Sequence, residues 1–409
     1  MGFIRGTFHS KTYAANLTKK RVSKLRNVLF FCGLFVGFFT VFKGQSQVRT
    51  GADQISTYAS FLQNKKVGVV AHSASIIQTP RGNIHLIDSL QALRIDVQRI
   101  FAPEHGFRGN ADAGEKIKDG VDSKTNLPVI SLYGKERKPS PESLKNIDVV
   151  LFDLQDVGVR FYTYLSTLHY VMEACAENNI PLWVLDRPNP NIHYVDGPVL
   201  EMENQSFVGM HPVPIVYGMT IGEYAQMING EGWLKNGVRC DLQVVSLKNY
   251  TRETKYVSPV SPSPNLPNAQ SIALYPSLCL LEPTVISVGR GTEKPFQVYG
   301  HPELFKTNFS FTPIPRKGAK KPKLNGQLCY GKDLSEVPVV SRIELKWLIQ
   351  AYTEFPNRAN FFKKGFARIA GTKSLQRQIE EGRTQGYIRR SWKKKLTLFK
   401  KVREKYLTY

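Results

Sequence analysis

A carboxylate, an imidazole and a guanidinium fall within five positions of this chain, at Glu104, His105 and Arg108, in the run FAPEHGFRG that begins at residue 101. An apolar stretch, 97–102, precedes Pro103, and two glycines, Gly106 and Gly109, come soon after it. Proline ends a strand ladder and glycine permits tight backbone, so the pattern predicts a strand ending in a loop that carries chemistry. Two further apolar strands end in similar fashion. DLQDVGVRFYTY places Asp153, Asp156, Arg160, Tyr162 and Tyr164 together, and DRPNP places Asp186, Arg187 and Asn189 together. In a parallel sheet all three ends face one edge, where such sheets bind ligands.

Two carboxylates flanking a glycosidic bond suffice for general acid/base hydrolysis. Glu104, beside Phe101 and Phe107, suits the acid, and Asp156 or Asp153 suits the partner that activates water or stabilises positive charge. Arg160 and Arg187 can grip a substrate carboxylate in bidentate fashion. Tyr162 and Tyr164 can stack on a sugar, with His105, Arg108 and Asn189 completing the rim. Asp153 can equally fix a turn, and Arg187 can equally serve a structural ion pair. A second constellation, VGRGTEKPF from residue 288, brackets Arg290 between Gly289 and Gly291 and adds Glu293. It reads either as an anion- and hydroxyl-binding loop or as a turn with a surface ion pair. Asp153 and Asp156 with His105 or Glu104 could hold a divalent ion, but no dense ligand motif supports one. The first strand has the single glycine Gly68 and no G-x-G-x-x-G after it, so no dinucleotide cofactor is expected.

The elements that must position these residues alternate strand and helix. Strands are expected at 66–72, 97–102, 127–133, 147–154, 181–185 and 242–247, and helices at 87–93, 140–146, 161–178 and 220–229. Thr220 and Glu223 form a capping-box signature, and Ser140 reads as an N-cap. The rhythm predicts an α/β fold, a doubly wound and mostly parallel sheet. A proline-rich segment, 258–268, breaks it. Helices come after it near 343–352, 373–381 and 387–409, in a smaller α+β part.

The net charge of +23 and the pI of about 9.7 favour anionic partners. No zinc-finger spacing or aromatic RNA-binding signature is present, so nucleic acid is not the expected partner. The basic terminal helix reads as a solvated face, with contact to membrane or polymer as the alternative. Residues 1–27 are basic and 28–42 apolar (VLFFCGLFVGFFTVF), the order of a secretory signal or uncleaved anchor over 1–47. The rest is therefore expected to be exported, periplasmic or envelope-associated, with inner-membrane anchoring through 28–42 as one form. Four cysteines lie beyond the leader, Cys175, Cys240, Cys279 and Cys329, with no C-x-x-C. They read as small buried hydrophobes or as one or two unassigned disulfides.

On FAPEHGFRGNADAGE, IDVVLFDLQDVGVRFYTYLSTLHYVMEA, PLWVLDRPNP, SPSPNLPN and LEPTVISVGRGTEKPFQVYGHP, the chain from about residue 51 onward resembles the exo-acting β-N-acetylmuramidase family of the NamZ type. The resemblance implies a Rossmann-like catalytic domain over 48–262 and a second, smaller domain over 263–409 contributing to a cleft. It implies release of N-acetylmuramic acid from the non-reducing ends of peptidoglycan fragments, with Glu104 catalytic; the sequence itself leads to no expected cofactor. A non-catalytic muropeptide-binding protein on the same scaffold is the alternative. One departure stands out: the first strand ends Ala71-His72-Ser73-Ala74-Ser75, where relatives carry an asparagine-containing turn.

Overall fold

In a computed structural model, the described residues are 47–108, 119–304, 308–338 and 341–409. The leader and the Gly109 end of the glutamate loop lie outside them. Seven strands form the main sheet: β1 (Lys66–Ala71), β4 (Asp96–Ala102), β5 (Gly120–Val121), β6 (Pro128–Ser131), β7 (Val149–Asp153), β8 (Leu182–Leu185) and β9 (Leu242–Val245). Their spatial order is β5-β6-β4-β1-β7-β8-β9, parallel except for β5. The six parallel strands run outward from β1 in one direction and then in the other, the doubly wound order of a Rossmann fold. Between β1 and β4 lies one feature absent from the sequence expectation, a hairpin of β2 (Ile76–Thr79) and β3 (Gly82–His85).

Strand periodicity sends alternate residues to opposite faces. Val150 and Phe152 of β7 enter one apolar core, and Val149 and Leu151 enter the other. All five β7 residues are buried, and the first four, 149–152, are an unbroken apolar run ended by Asp153. Each such fully buried large apolar side chain contributes roughly 1.5–3 kcal/mol. Helix α1 (Leu86–Ala92) covers the second face. Helices α2 (Tyr164–Glu177) and α3 (Ile221–Gly230) cover the first. The expected capping box on α3 is formed, Thr220 and Glu223 bonding each other's backbone. Ser140 caps its short helix, accepting from Ser143 N at 3.1 Å.

The first-face core continues into the C-terminal part without a break. That part holds helices α4 (Ala269–Leu278), α5 (Lys346–Glu354), α6 (Phe366–Ala370), α7 (Ser374–Glu380) and α8 (Gln385–Glu404). It also holds an antiparallel sheet ordered β10 (Val298–His301), β12 (Cys329–Asp333), β11 (Ser310–Phe311). The basic helix α8 buries Ile388, Trp392 and Phe399, and several of its cations are anchors. Arg403 donates to Gly218 O, and Arg389 pairs with Asp196 at 2.8 Å. Cys175, Cys240, Cys279 and Cys329 are free and buried. Among the described residues no helix is long and apolar enough to cross a membrane.

Candidate active site

Glu104 stands two residues past the end of β4, at the carboxyl edge of the sheet. The turn is closed by Gly106 N donating to Pro103 O at 3.0 Å. His105 and Gly106 both take left-handed backbone, at φ 71° and 75°. For histidine that conformation costs on the order of 1 kcal/mol. The His105 ring is tied to Ser263 Oγ at 3.0 Å, joining the loop to the proline-rich segment. Glu104 itself stays half-buried, with Thr163 Oγ1 donating to its Oε2 at 2.7 Å. Tyr133 lines the same cleft; burial, reinforced by the nearby Glu104 charge, pushes its hydroxyl's pKa up, so it stays protonated and able to donate.

These groups open onto a cleft of about 260 Å³. The sheet side supplies Glu104, His105, Tyr133, Arg137, Tyr162 and Thr163. The turn at Phe207 and Val208, the segment Ser263 to Leu266, and Tyr275, Glu282, Arg290 and Phe296 from the C-terminal part close it. Glu282 is thus a second carboxylate on the lining, its side chain 30 % exposed. Arg290 faces it at 3.5 Å, presented by Gly289 and Gly291 at φ 76° and 88°. The backbone carrying Glu282 is pinned by Lys323, whose ammonium donates to the carbonyls of Glu282, Thr284 and Ile286 at 2.7, 2.8 and 2.9 Å. Burial pushes that ammonium down to about 8. A larger groove of about 700 Å³ lies beyond residues 262–266, lined largely by apolar surface and without either glutamate. Size does not mark the site here; the convergence of acids and donors does.

Of the residues singled out from sequence, Glu104, His105, Tyr162 and Arg290 line the cleft. The others do not line it and are engaged elsewhere. Asp153 and Arg187 form a buried bidentate pair, at 2.5 and 2.8 Å. Arg160 is fully buried and donates to the carbonyls of Pro198, Val213 and Ile369. Asn189 is spent on Met219 O and Asn191 N. Arg108 pairs with Asp122 at 2.7 Å, and Glu293 lies on the exposed surface beside Arg316. Asp156 is sealed behind the site: its Oδ2 accepts from Gly158 N and the Tyr217 hydroxyl, and its Oδ1 is buried with no hydrogen-bond partner among the described residues. Burial pushes its carboxyl up to about 6. Phe101 and Phe107 pack into the two cores. The divergent strand end is also turned inward, His72 accepting from Gln155 N and meeting the Tyr164 hydroxyl. Among the described residues no group of three or more His, Cys, Asp or Glu is placed to hold a metal ion.

Tyr133, Arg137, Thr163 and Phe207 were not selected from sequence, and Glu282, near the start of the quoted stretch LEPTVISVGRG, was given no role there. Arg137 sits in the charged run KERK, which reads as solvent-facing loop, and Glu282 lies between Leu281 and Pro283 with no second polar residue beside it to suggest chemistry.

A doubly wound α/β sheet with paired carboxylates in a cleft at its carboxyl edge has the parts of a glycosidase. Models of the exo-β-N-acetylmuramidase NamZ N-terminal and C-terminal domains match residues 67–270 and 273–409. The chain belongs to the exo-β-N-acetylmuramidase NamZ family. It is 38% identical over 394 residues to the peptidoglycan β-N-acetylmuramidase NamZ of Bacillus subtilis, covering 89% of this chain and 92% of that one. Two crystal structures of DUF1343 family proteins from Bacteroides fragilis share its fold. One has a TM-score of 0.81 at 44% identity, covering 89% of this chain and 99% of its own; the other has 0.75 at 29%, covering 88% and 99%.

Proposed function

We propose that this chain hydrolyses the terminal β-N-acetylmuramide of peptidoglycan fragments, with Glu104 as the acid that protonates the leaving oxygen. The observation that carries this is the Glu104 carboxylate, open to the cleft and fixed by Thr163, with Tyr133 on the same lining. Family membership supports the substrate. The second carboxylate of such chemistry is Glu282, in place of Asp156, because Glu282 is on the lining and Asp156 is sealed from it. Glu282 activates water or stabilises positive charge on the sugar.

The test is hydrolysis of an aryl β-N-acetylmuramide. Glu104→Gln is expected to lower kcat by about 10²–10⁴-fold with unchanged unfolding midpoint. Glu282→Gln is expected to fall into the same range. A wild-type protein that binds muramyl sugars and turns none over would instead be a binding protein on this scaffold. The basic and apolar leader supports export to the periplasm or envelope, with or without a membrane anchor. Recovery of the protein only from cytosol after fractionation would rule that out.

A further inference from the structure

N-acetylmuramic acid differs from N-acetylglucosamine by an O-lactyl group, and so by one carboxylate. A cleft that selects the acidic sugar needs a cation not already neutralised. Among the described residues two guanidiniums reach the lining, Arg290 and Arg137. Arg290 already faces Glu282 at 3.5 Å and Gly318 O at 3.4 Å. Arg137 has no carboxylate in ion-pair reach among the described residues. Its guanidinium lies over the Phe207 ring, 4.3 Å from the centroid.

That ring is held in place. Phe207 sits at the tip of a two-residue turn closed by Ser206 and Gly209, with reciprocal backbone bonds of 3.0 and 2.9 Å. Tyr170 stacks on it at 6.2 Å and 15°, and Tyr133 leans on it at 5.9 Å. A guanidinium lying over an aromatic face keeps N–H groups at its edge in a planar fork that matches a carboxylate. Tyr133, leaning on that ring, lines the same cleft as Glu104, Arg137 and Arg290, so the fork and the acid belong to one site.

We propose that Arg137, laid on Phe207, binds the lactyl carboxylate of the terminal sugar and sets the preference for muramic acid over N-acetylglucosamine. This rests on the muramidase reading and adds the residue that selects the substrate. The test is equilibrium binding of free N-acetylmuramic acid and free N-acetylglucosamine to the full chain by calorimetry. Arg137→Ala should lose about 10- to 100-fold in affinity for the acid and leave N-acetylglucosamine unchanged. Arg137→Lys, which keeps charge without the fork, should fall between. The proposal is overturned if Arg137→Ala keeps the wild-type preference, if it weakens both sugars equally, or if the wild type shows no preference. Aryl muramide hydrolysis measured in parallel separates the two ideas: binding preference lost in Arg137→Ala without wild-type turnover upholds this one and removes the catalytic one.

Discussion

Thr163 Oγ1 donates to Glu104 Oε2 across 2.7 Å, joining residues 59 positions apart in the chain. The bond ties the loop after β4 to the residue preceding α2, and so sets where the carboxylate points. Thr163→Val keeps the shape and removes the donor. A hydrogen bond to a charged group contributes about 1.5–3 kcal/mol, so kcat on an aryl muramide should fall roughly 10- to 100-fold. Circular dichroism and the unfolding midpoint should stay at wild-type values. Unchanged kcat would show that Glu104 is positioned without this bond.

Arg187 and Asp153 are expected to matter for stability through each other. Both are almost fully buried, so removing one leaves the other charged and without its partner. Arg187→Ala and Asp153→Ala should each lose about 3–5 kcal/mol in urea unfolding. The double substitution should lose clearly less than the sum of the two. Additive losses would mean that the pair is not coupled.

Asp156 should make the fold more stable in mild acid. Burial lifts its carboxyl to about 6 in the folded chain, above the ordinary 3.8. The folded state then holds a proton that the unfolded chain releases at lower pH. The stabilisation from that proton is full below about pH 4 and lost as pH rises through about 6. Its size is on the order of 2–3 kcal/mol. Asp156→Asn should flatten urea midpoints between pH 4 and 7 and raise stability at pH 7, while retaining most activity because Asp156 does not line the cleft. A collapse of kcat in this variant would return Asp156 to the catalytic role its position in the sequence first suggested.

Tyr409 closes a second buried acid. Its hydroxyl donates to Asp186 Oδ2 at 2.7 Å and accepts from Leu247 N at 2.7 Å. Burial already pushes the Asp186 carboxyl up to about 6. Tyr409→Phe leaves the ring on Tyr250 but removes both bonds, at a cost of about 1–3 kcal/mol. Losing a donor to the charged form moves Asp186 further up, so the loss of stability should be greater at pH 7 than at pH 5. Equal losses at both pH values would disconnect the hydroxyl from the Asp186 charge.

What the sequence determined by itself is local. Apolar runs such as 147–154 dictate buried strands because a strand enclosed on both faces has no polar side to show. The Thr220–Glu223 box and the turn after Pro103 were legible because cap, turn and breaker act within about four residues. From those alone the sheet edge followed, and with it Glu104. Tertiary structure decided which charged side chains face the cleft and which face each other. Asp153, Arg187 and Arg160 carry the same chemistry as Glu104, Glu282 and Arg137, and nothing in residue type separates the two groups. Arg160 is consumed by carbonyls at 198, 213 and 369, and Asp153 by an arginine 34 positions away. A charge becomes a ligand or a strut according to the partner that long-range folding brings within hydrogen-bond distance, and that choice is not written in the neighbours along the chain.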